Sequence, residues 1–274
     1  MASAPASLGD PKNSVAAQFV AARLAARPLP AFPGPIPTTL QRAYAHQEEA
    51  IGLWPDAIAA WKIGRIPARQ GHLAAGDRLA GPIFRRAIRE ARGDETIAIP
   101  ILVGGFAAVE GELALECAQD APADKTAWSR EEALAMIGRA RIAVEIAGSP
   151  LASINDLGAT VVVSDFGNNF GLVLGDDIPD WRDAIETIGC ETSINGDVVG
   201  AGDARSLMGG PLESFRFLLE HLPTRGRRLR AGDIVSTGAL SGVHDIRFGQ
   251  SAQCHFGPHG VIRCRAVAAT AMAQ

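Results

Sequence analysis

Cysteine is scarce in this 274-residue chain: Cys117, Cys190, Cys254 and Cys264 are all there is, and no two stand as Cys-x-x-Cys. That spacing argues against a disulfide framework and against a zinc site as the organising element. No apolar run approaches the roughly 18 residues that cross a bilayer. The opening MASAPASLGDPKNS has no charged start followed by an apolar core, so a secretory signal is not expected and the chain reads as cytoplasmic. Positive charge is not in excess either. The net charge is −4, which leaves no basic footprint for nucleic acid. The glycine-rich stretches VGGFAAVEG and MGGPLES lack a following Gly-Lys-Ser/Thr and do not fit Gly-x-Gly-x-x-Gly, and no Gly-x-Ser-x-Gly elbow occurs. Phosphate-loop, dinucleotide and serine-hydrolase readings therefore have no support.

What the chain does have is material for a core, with 47% hydrophobic and 20% charged residues. Residues 1–13 are small, polar and Pro-containing, and are expected to be flexible. Residues 14–95 read as helix-rich. One helix runs from Ser14 to about Arg27, and a second is capped by Thr38 or Thr39 and runs through QRAYAHQEEAIGLW; the Pro-rich PLPAFPGPIPTT joins them. From about residue 96 to the end, short apolar stretches separated by Gly, Asp and Asn predict a mixed-sheet domain: IAIPILVGG, VEGELALEC, ATVVVSD, GLVLG, DIVSTGAL, AQCHF and GVIRCRAVA. Asn195–Gly196 predicts a hairpin turn. Ser129 and Glu132 form a capping-box pattern opening a helix over SREEALAMIGRARIAVEI, and Pro211 suits the first turn of PLESFRFLLEHL. Without a βαβ rhythm, the expected class is α+β. The basic run TRGRRLR reads as a solvated loop or an interface contact, and His255 and His259 as flanking a turn between two C-terminal strands.

The chemistry is expected in the carboxylates. In FAAVEGELAL, Glu110 and Glu112 are one residue apart in an apolar stretch, and along a strand they must face the same way. Two like charges on a semi-buried face are costly unless a cation joins them. Hard cations such as Mg²⁺ or Mn²⁺ take oxygen ligands and leave positions for water and substrate. Glu145, alone in the apolar RIAVEIAGSPL, is the candidate third ligand. Lys62 in AWKIG has two open readings: it snorkels to the surface, or it is desolvated and carries protons with a lowered pKa.

With these residues placed, the sequence resembles the 2-keto-4-pentenoate hydratase family, with 2-oxo-hept-3-enedioate hydratases and 4-oxalocrotonate decarboxylases, in the fumarylacetoacetate hydrolase superfamily. The resemblance runs from about Ile36 to Ala266 through AYAHQ, AWKIG, GPIF, VEGELAL, IAVEI, SDFGNNFGLVLG, INGDVVGAG and GDIVSTG. It implies a mixed β-sheet or roll core of the superfamily's C-terminal type with a small helical N-terminal region. Implied metal ligands, to Mg²⁺ or Mn²⁺, are Glu110, Glu112 and Glu145. Lys62 and Asp165 are implied as catalytic, and Leu79, Phe84, Asn168 and Thr237 as substrate-binding. The implied reaction is hydration of a 2-hydroxy-2,4-dienoate through a metal-bound enolate, as in aromatic meta-cleavage catabolism, by a homo-oligomer. Three departures stand out: Leu79 where many hydratases carry an aspartate, Phe166 and Asn168 in the SDFGNNF segment, and AGSPL after the third acid. They keep open a decarboxylase or C–C hydrolase using the same metal site, and an inactive partner subunit.

Overall fold

The computed structural model describes residues 13–68, 70 and 77–272. The flexible segment expected over 1–13 lies outside the described residues except for Asn13. Helix α1 spans Val15–Leu24, and the Ser14 hydroxyl accepts from the Ala17 N–H at 3.1 Å. Helix α2 spans Leu40–Leu53, where the Thr39 hydroxyl accepts from the Arg42 N–H at 3.3 Å. Both caps satisfy donors that a helix start leaves unpaired.

Strands then begin earlier than expected. β1 (Ile58–Arg65), β2 (Arg78–Phe84) and β3 (Ile88–Glu90) all fall within the stretch read as helix-rich. Short strands buried on both faces over stretches such as AWKI and LAGPIF lack the alternation that marks a half-solvated strand, so the period of two is hidden. β4 (Thr96–Ile101), β5 (Phe106–Cys117) and helix α3 (Arg130–Ala135) follow. The capping box at α3 is present, with Ser129 and Glu132 exchanging side-chain and backbone bonds. Its helix is six residues long, not eighteen. From Ile137 the chain enters β6 (Ile137–Ser149), and Glu145 therefore lies on a strand. A long apolar run buried on both faces reads alike as helix or strand, and here pairing on both sides by β5 and β7 decided it.

After β6 come α4 (Ile154–Leu157), α5 (Ala159–Ser164), β7 (Asn169–Asp177), α6 (Trp181–Ala184), β8 (Gly189–Ile194), β9 (Asp197–Asp203), α7 (Gly210–His221), β10 (Ile234–Ser236), β11 (His244–Asp245), β12 (Ser251–His255) and β13 (Val261–Ala268). ATVVVSD, expected as a strand, is helix α5: Ala159 and Val163 pack with Ala43 of α2, and this burial overrides the β preference of three valines. Asn195 and Gly196 both have positive φ, as the β8–β9 turn requires. His259 lies in the β12–β13 turn. Within the basic run, Arg225 and Arg227 both pair with Glu48 of α2 and Arg228 with Asp120, while Arg230 is exposed.

Two mixed sheets result. One has the order β2-β1-β10-β5-β6-β7-β3, with β11 also pairing β5, and the other β4-β13-β12-β8-β9. β1–β10, β3–β7 and β4–β13 are parallel, and the remaining pairs antiparallel. The architecture is α+β, as expected. Trp61, Leu113, Leu115, Ile142, Val144 and Val173 turn one face of the first sheet into the core shared with Cys254 and Ile262 of the second. Alternation along the same strands puts Lys62, Glu110, Glu112 and Glu145 on the opposite face. Trp61 and Ile63, which made Lys62 look embedded in apolar sequence, belong to the core face.

Gly111, between the two glutamates, faces that core. A Cβ there would lie 2.3 Å from Cys190 Sγ and 3.5 Å from Cys190 Cβ. Gly111→Ala should therefore destabilise the fold by about 1–3 kcal/mol, and Cys190→Ala should restore most of that loss, because only the sulfur clashes. A denaturant double-mutant cycle measures it; additive losses would refute the contact.

Candidate metal centre

β5 and β6 pair antiparallel in a register that sets Glu110 directly opposite Glu145, with Glu112 opposite Ala143. Like charges opposed across a ladder destabilise it. Carboxylate oxygens of all three acids nevertheless lie within 4.8 Å of one another, the one cluster of three or more metal-competent side chains among the described residues. Glu112 and Glu145 have no exposed surface and Glu110 has 7%. Lys62 Nζ lies 3.2 Å from Glu145 Oε1.

Each of the two deepest acids has one oxygen fixed and one left over. Glu112 Oε2 accepts from the Ser236 hydroxyl at 2.5 Å and from the Gly238 N–H at 3.0 Å. Glu145 Oε1 accepts from Asn169 Nδ2 at 3.0 Å, besides Lys62. Glu112 Oε1 and Glu145 Oε2 are buried with no partner. A buried carboxylate oxygen without a donor is costly. Two of them beside a third carboxylate form an all-oxygen donor set that fits a hard divalent cation. Charge says the same: three carboxylates face one ammonium, a deficit that a divalent ion cancels.

The electrostatics carry this imbalance. Burial, reinforced by Glu145 and only partly opposed by Lys62, pushes the Glu110 carboxyl up to about 7. Burial, then Glu145 and Glu110, pushes Glu112 well above the usual carboxylate range. For Lys62, burial disfavours the ammonium, but Glu145, Glu110 and Glu112 together outweigh it and hold the lysine above its ordinary value. The lysine is thus desolvated rather than snorkelling, as the second reading has it, but beside three carboxylates its pKa is held up, not lowered.

A cavity of about 650 Å³ opens over this cluster, and Lys62, Glu110, Leu79, Asn168 and Thr237 line it. Glu112 and Glu145 lie behind that lining. The Thr237 hydroxyl is committed to the Leu113 carbonyl at 2.9 Å, while Asn168 Nδ2 donates to Asn155 Oδ1 at 3.3 Å. Two expected site residues are placed elsewhere. Phe84 stacks among Trp54 and Phe166, at centroid distances of 5.3 and 5.0 Å, and lines a separate cavity.

Asp165 is not a cavity residue. It is 1% exposed and held in a two-pronged pair with Arg23, Nε to Oδ1 at 2.6 Å and Nη2 to Oδ2 at 2.9 Å, with the Ser149 hydroxyl donating to Oδ2 at 2.6 Å. Arg23 also donates to the carbonyls of Asn169 and Gly148. Both carboxylate oxygens are thus taken up by Arg23 and Ser149. What it does is fasten the turn that follows, in which Phe166, Gly167 and Asn168 all have positive φ. That turn presses on β2, where a Cβ at Gly81 would meet the Phe166 carbonyl at 2.2 Å. Its far end delivers Asn169 to Glu145. Arg23, Ser149, Asn169 and Ser236 went unassigned in the sequence. Ser236 stood in the GDIVSTG motif and Asn169 in SDFGNNF, but nothing local marked which hydroxyl or amide would reach a glutamate.

An open cavity over buried carboxylates and a lysine, carried on a mixed sheet, defines an enzyme site. The fumarylacetoacetate (FAA) hydrolase C-terminal family model matches residues 82–270, and the chain belongs to this family. It is 28% identical over 205 residues to a 2-keto-4-pentenoate hydratase from Paraburkholderia phymatum, covering 74% of this chain and 75% of that protein. Among solved structures, the fold matches 4-oxalocrotonate decarboxylase from Pseudomonas putida G7, complexed with magnesium and adipate, with a TM-score of 0.77, 18% identity and coverage of 92% and 96% of the two chains. Fumarylpyruvate hydrolase from Pseudomonas aeruginosa, in complex with Mn²⁺ and pyruvate, matches with a TM-score of 0.56, 15% identity and coverage of 77% and 89%.

The Glu110 carboxyl is raised in the folded, metal-free protein, so the folded state binds protons more tightly than the unfolded state and stability should fall as pH rises from about 4.5 towards 7. A cation must displace those protons, so Mn²⁺ affinity should rise between pH 6 and 8 with proton release visible in calorimetry, and Glu110→Gln should abolish most of the binding. Affinity independent of pH and of Glu110→Gln would remove the trio from metal binding. Separately, Asp165→Asn strands a buried guanidinium and should cost about 3–5 kcal/mol of stability. A denaturation midpoint equal to wild type would show that Asp165 does not hold the turn.

Proposed function

We propose that the chain is a divalent-metal-dependent hydro-lyase acting on a 2-hydroxy-2,4-dienoate or a similar 2-oxo-enoic acid. The observation that carries the reading is the pair of partnerless buried oxygens, Glu112 Oε1 and Glu145 Oε2, next to Glu110 beneath an open cavity. Likeness to a hydratase in sequence adds to it. Held by Glu110, Glu112 and Glu145, Mg²⁺ or Mn²⁺ would supply a Lewis acid for the 2-oxo and carboxylate oxygens of the substrate and offset the enolate charge.

The chain's own groups do the rest. Ser236, Gly238 and Asn169 fix one oxygen of a glutamate each and so aim the other. Lys62, charged and at the cavity wall, is placed to give a proton to C5 of the dienol while the 2-hydroxyl proton leaves to water; taking a proton back from that water restores the ammonium, which then offsets negative charge on the substrate oxygen. Proton transfer converts the 2-hydroxy-2,4-dienoate to its 2-oxo-3-ene form. Water then bonds to C4 as a proton reaches C3, leaving a 4-hydroxy-2-oxo acid. Asn168, whose Oδ1 is buried without a partner, is placed to accept a hydrogen bond from substrate or water.

A second reading, decarboxylation of a 2-oxo-3-enedioate, is favoured by the cavity wall itself. Leu79 lines it where many hydratases carry an aspartate, and Arg65 and Arg78 lie on the same lining, Arg78 paired with Asp77. Purified protein with Mg²⁺ and a 2-hydroxydienoate should lose the diene's ultraviolet absorbance without releasing carbon dioxide. Carbon dioxide released from an enedioate would favour the second reading, and no turnover of either substrate by metal-loaded protein would leave an inactive subunit. Lys62→Met should lower kcat by 10²–10⁴-fold, a range typical of general acid–base groups, while Mn²⁺ binding persists. A normal rate would remove Lys62 from the mechanism.

A further inference from the structure

A second cavity, of about 280 Å³, lies on the other side of the turn that Asp165 fastens. Phe166 and Asn169 face it, while Gly167 and Asn168 line the first cavity, so one short segment walls both. The volume is at the small end for a ligand pocket. Its walls are aromatic: Trp54, Phe84 and Phe166 meet one another at centroid distances of 5.0 to 5.6 Å. The indole Nε1 of Trp54 is buried with no hydrogen-bond partner.

Three arginines reach this cavity, and they are not equivalent. Arg23 is matched by Asp165. Arg86 lies 3.9 Å from Asp56. Arg89, on β3, is half-buried with one hydrogen bond among the described residues, Nη1 donating to the Ala87 carbonyl at 3.4 Å. Burial pulls its guanidinium below the ordinary value. It has no ion pair among the described residues, and Asp56, the carboxylate on the lining, is paired with Arg86 rather than with Arg89. An unmatched cation beside a cluster of aromatic rings is complementary to a flat apolar body bearing one negative group.

We propose that this cavity binds a small aromatic carboxylate, its ring against Phe84 and Phe166 and its carboxylate on Arg89. The site is separate from the carboxylate cluster and does not depend on the reaction assigned to that cluster. Benzoate is the probe, titrated into the full chain and followed by calorimetry and tryptophan fluorescence. Saturable binding at one site per chain is expected, with benzyl alcohol at least tenfold weaker. Arg89→Gln should weaken benzoate about tenfold, the usual order for a lost charge-assisted hydrogen bond. Arg89→Lys, which keeps the charge, should recover most of the affinity and serves as the folded control. Arg65→Gln, on the lining of the first cavity, should leave benzoate binding unchanged. Failure to saturate, equal affinity for benzyl alcohol, or sensitivity to Arg65→Gln but not Arg89→Gln would overturn the proposal.

Discussion

Everything at the centre of this molecule turns on a repulsion: Glu110 and Glu145 face each other across the β5–β6 ladder, with Glu112 one pleat along. At about 5 Å and an effective dielectric near 20, each such pair repels by roughly 3 kcal/mol, before the cost of burial. One lysine at 3.2 Å offsets part of this, but it is one positive charge against three negative. Raised carboxyl pKa values at Glu110 and Glu112 express the residue of that imbalance. A hard cation would resolve it, and the two buried oxygens without donors could serve as its ligands.

The sheet can tolerate this because its two faces have separate duties. The largest apolar cluster, with Trp61, Leu113, Val144 and Val173, points to the interface with the second sheet, while a smaller one of Ala60, Ile83, Ala114, Ala143, Leu172 and Leu174 flanks the charged groups. Lys62, Ser236 and the glutamates alternate with them along the same strands. Gly111 shows how tightly the division is drawn, since the second sheet's Cys190 takes the space where a side chain would stand. Charge is concentrated on one face at no expense to packing on the other.

The turn from Asp165 to Asn169 serves as the hinge point of the architecture. Three consecutive residues with positive φ are costly, and two of them are not glycine. Arg23 offsets that cost by binding the Asp165 carboxylate and the Asn169 and Gly148 carbonyls together, which ties helix α1 to the strands that hold the glutamates. A helix distant from the chemistry therefore governs the orientation of Glu145, and the same turn separates the two cavities.

Sequence by itself determined the α+β class, the capping box of α3, the start of α2 at Thr38 or Thr39, the Asn195–Gly196 hairpin, and that Glu110 and Glu112 share a face, because each of these is a local matter of period, cap or turn chemistry. It also picked out Glu145 and Lys62 as isolated charges in apolar surroundings. Register was beyond it: the helix expected over residues 129–146 hid the fact that Glu145 is a strand residue directly opposite Glu110. Which acid becomes a cavity group and which a latch was likewise undecided until Arg23, 142 residues from Asp165, closed on it. Strand pairing and buried ion pairs join residues far apart in the chain, and no local pattern encodes the partner; only tertiary packing chooses it.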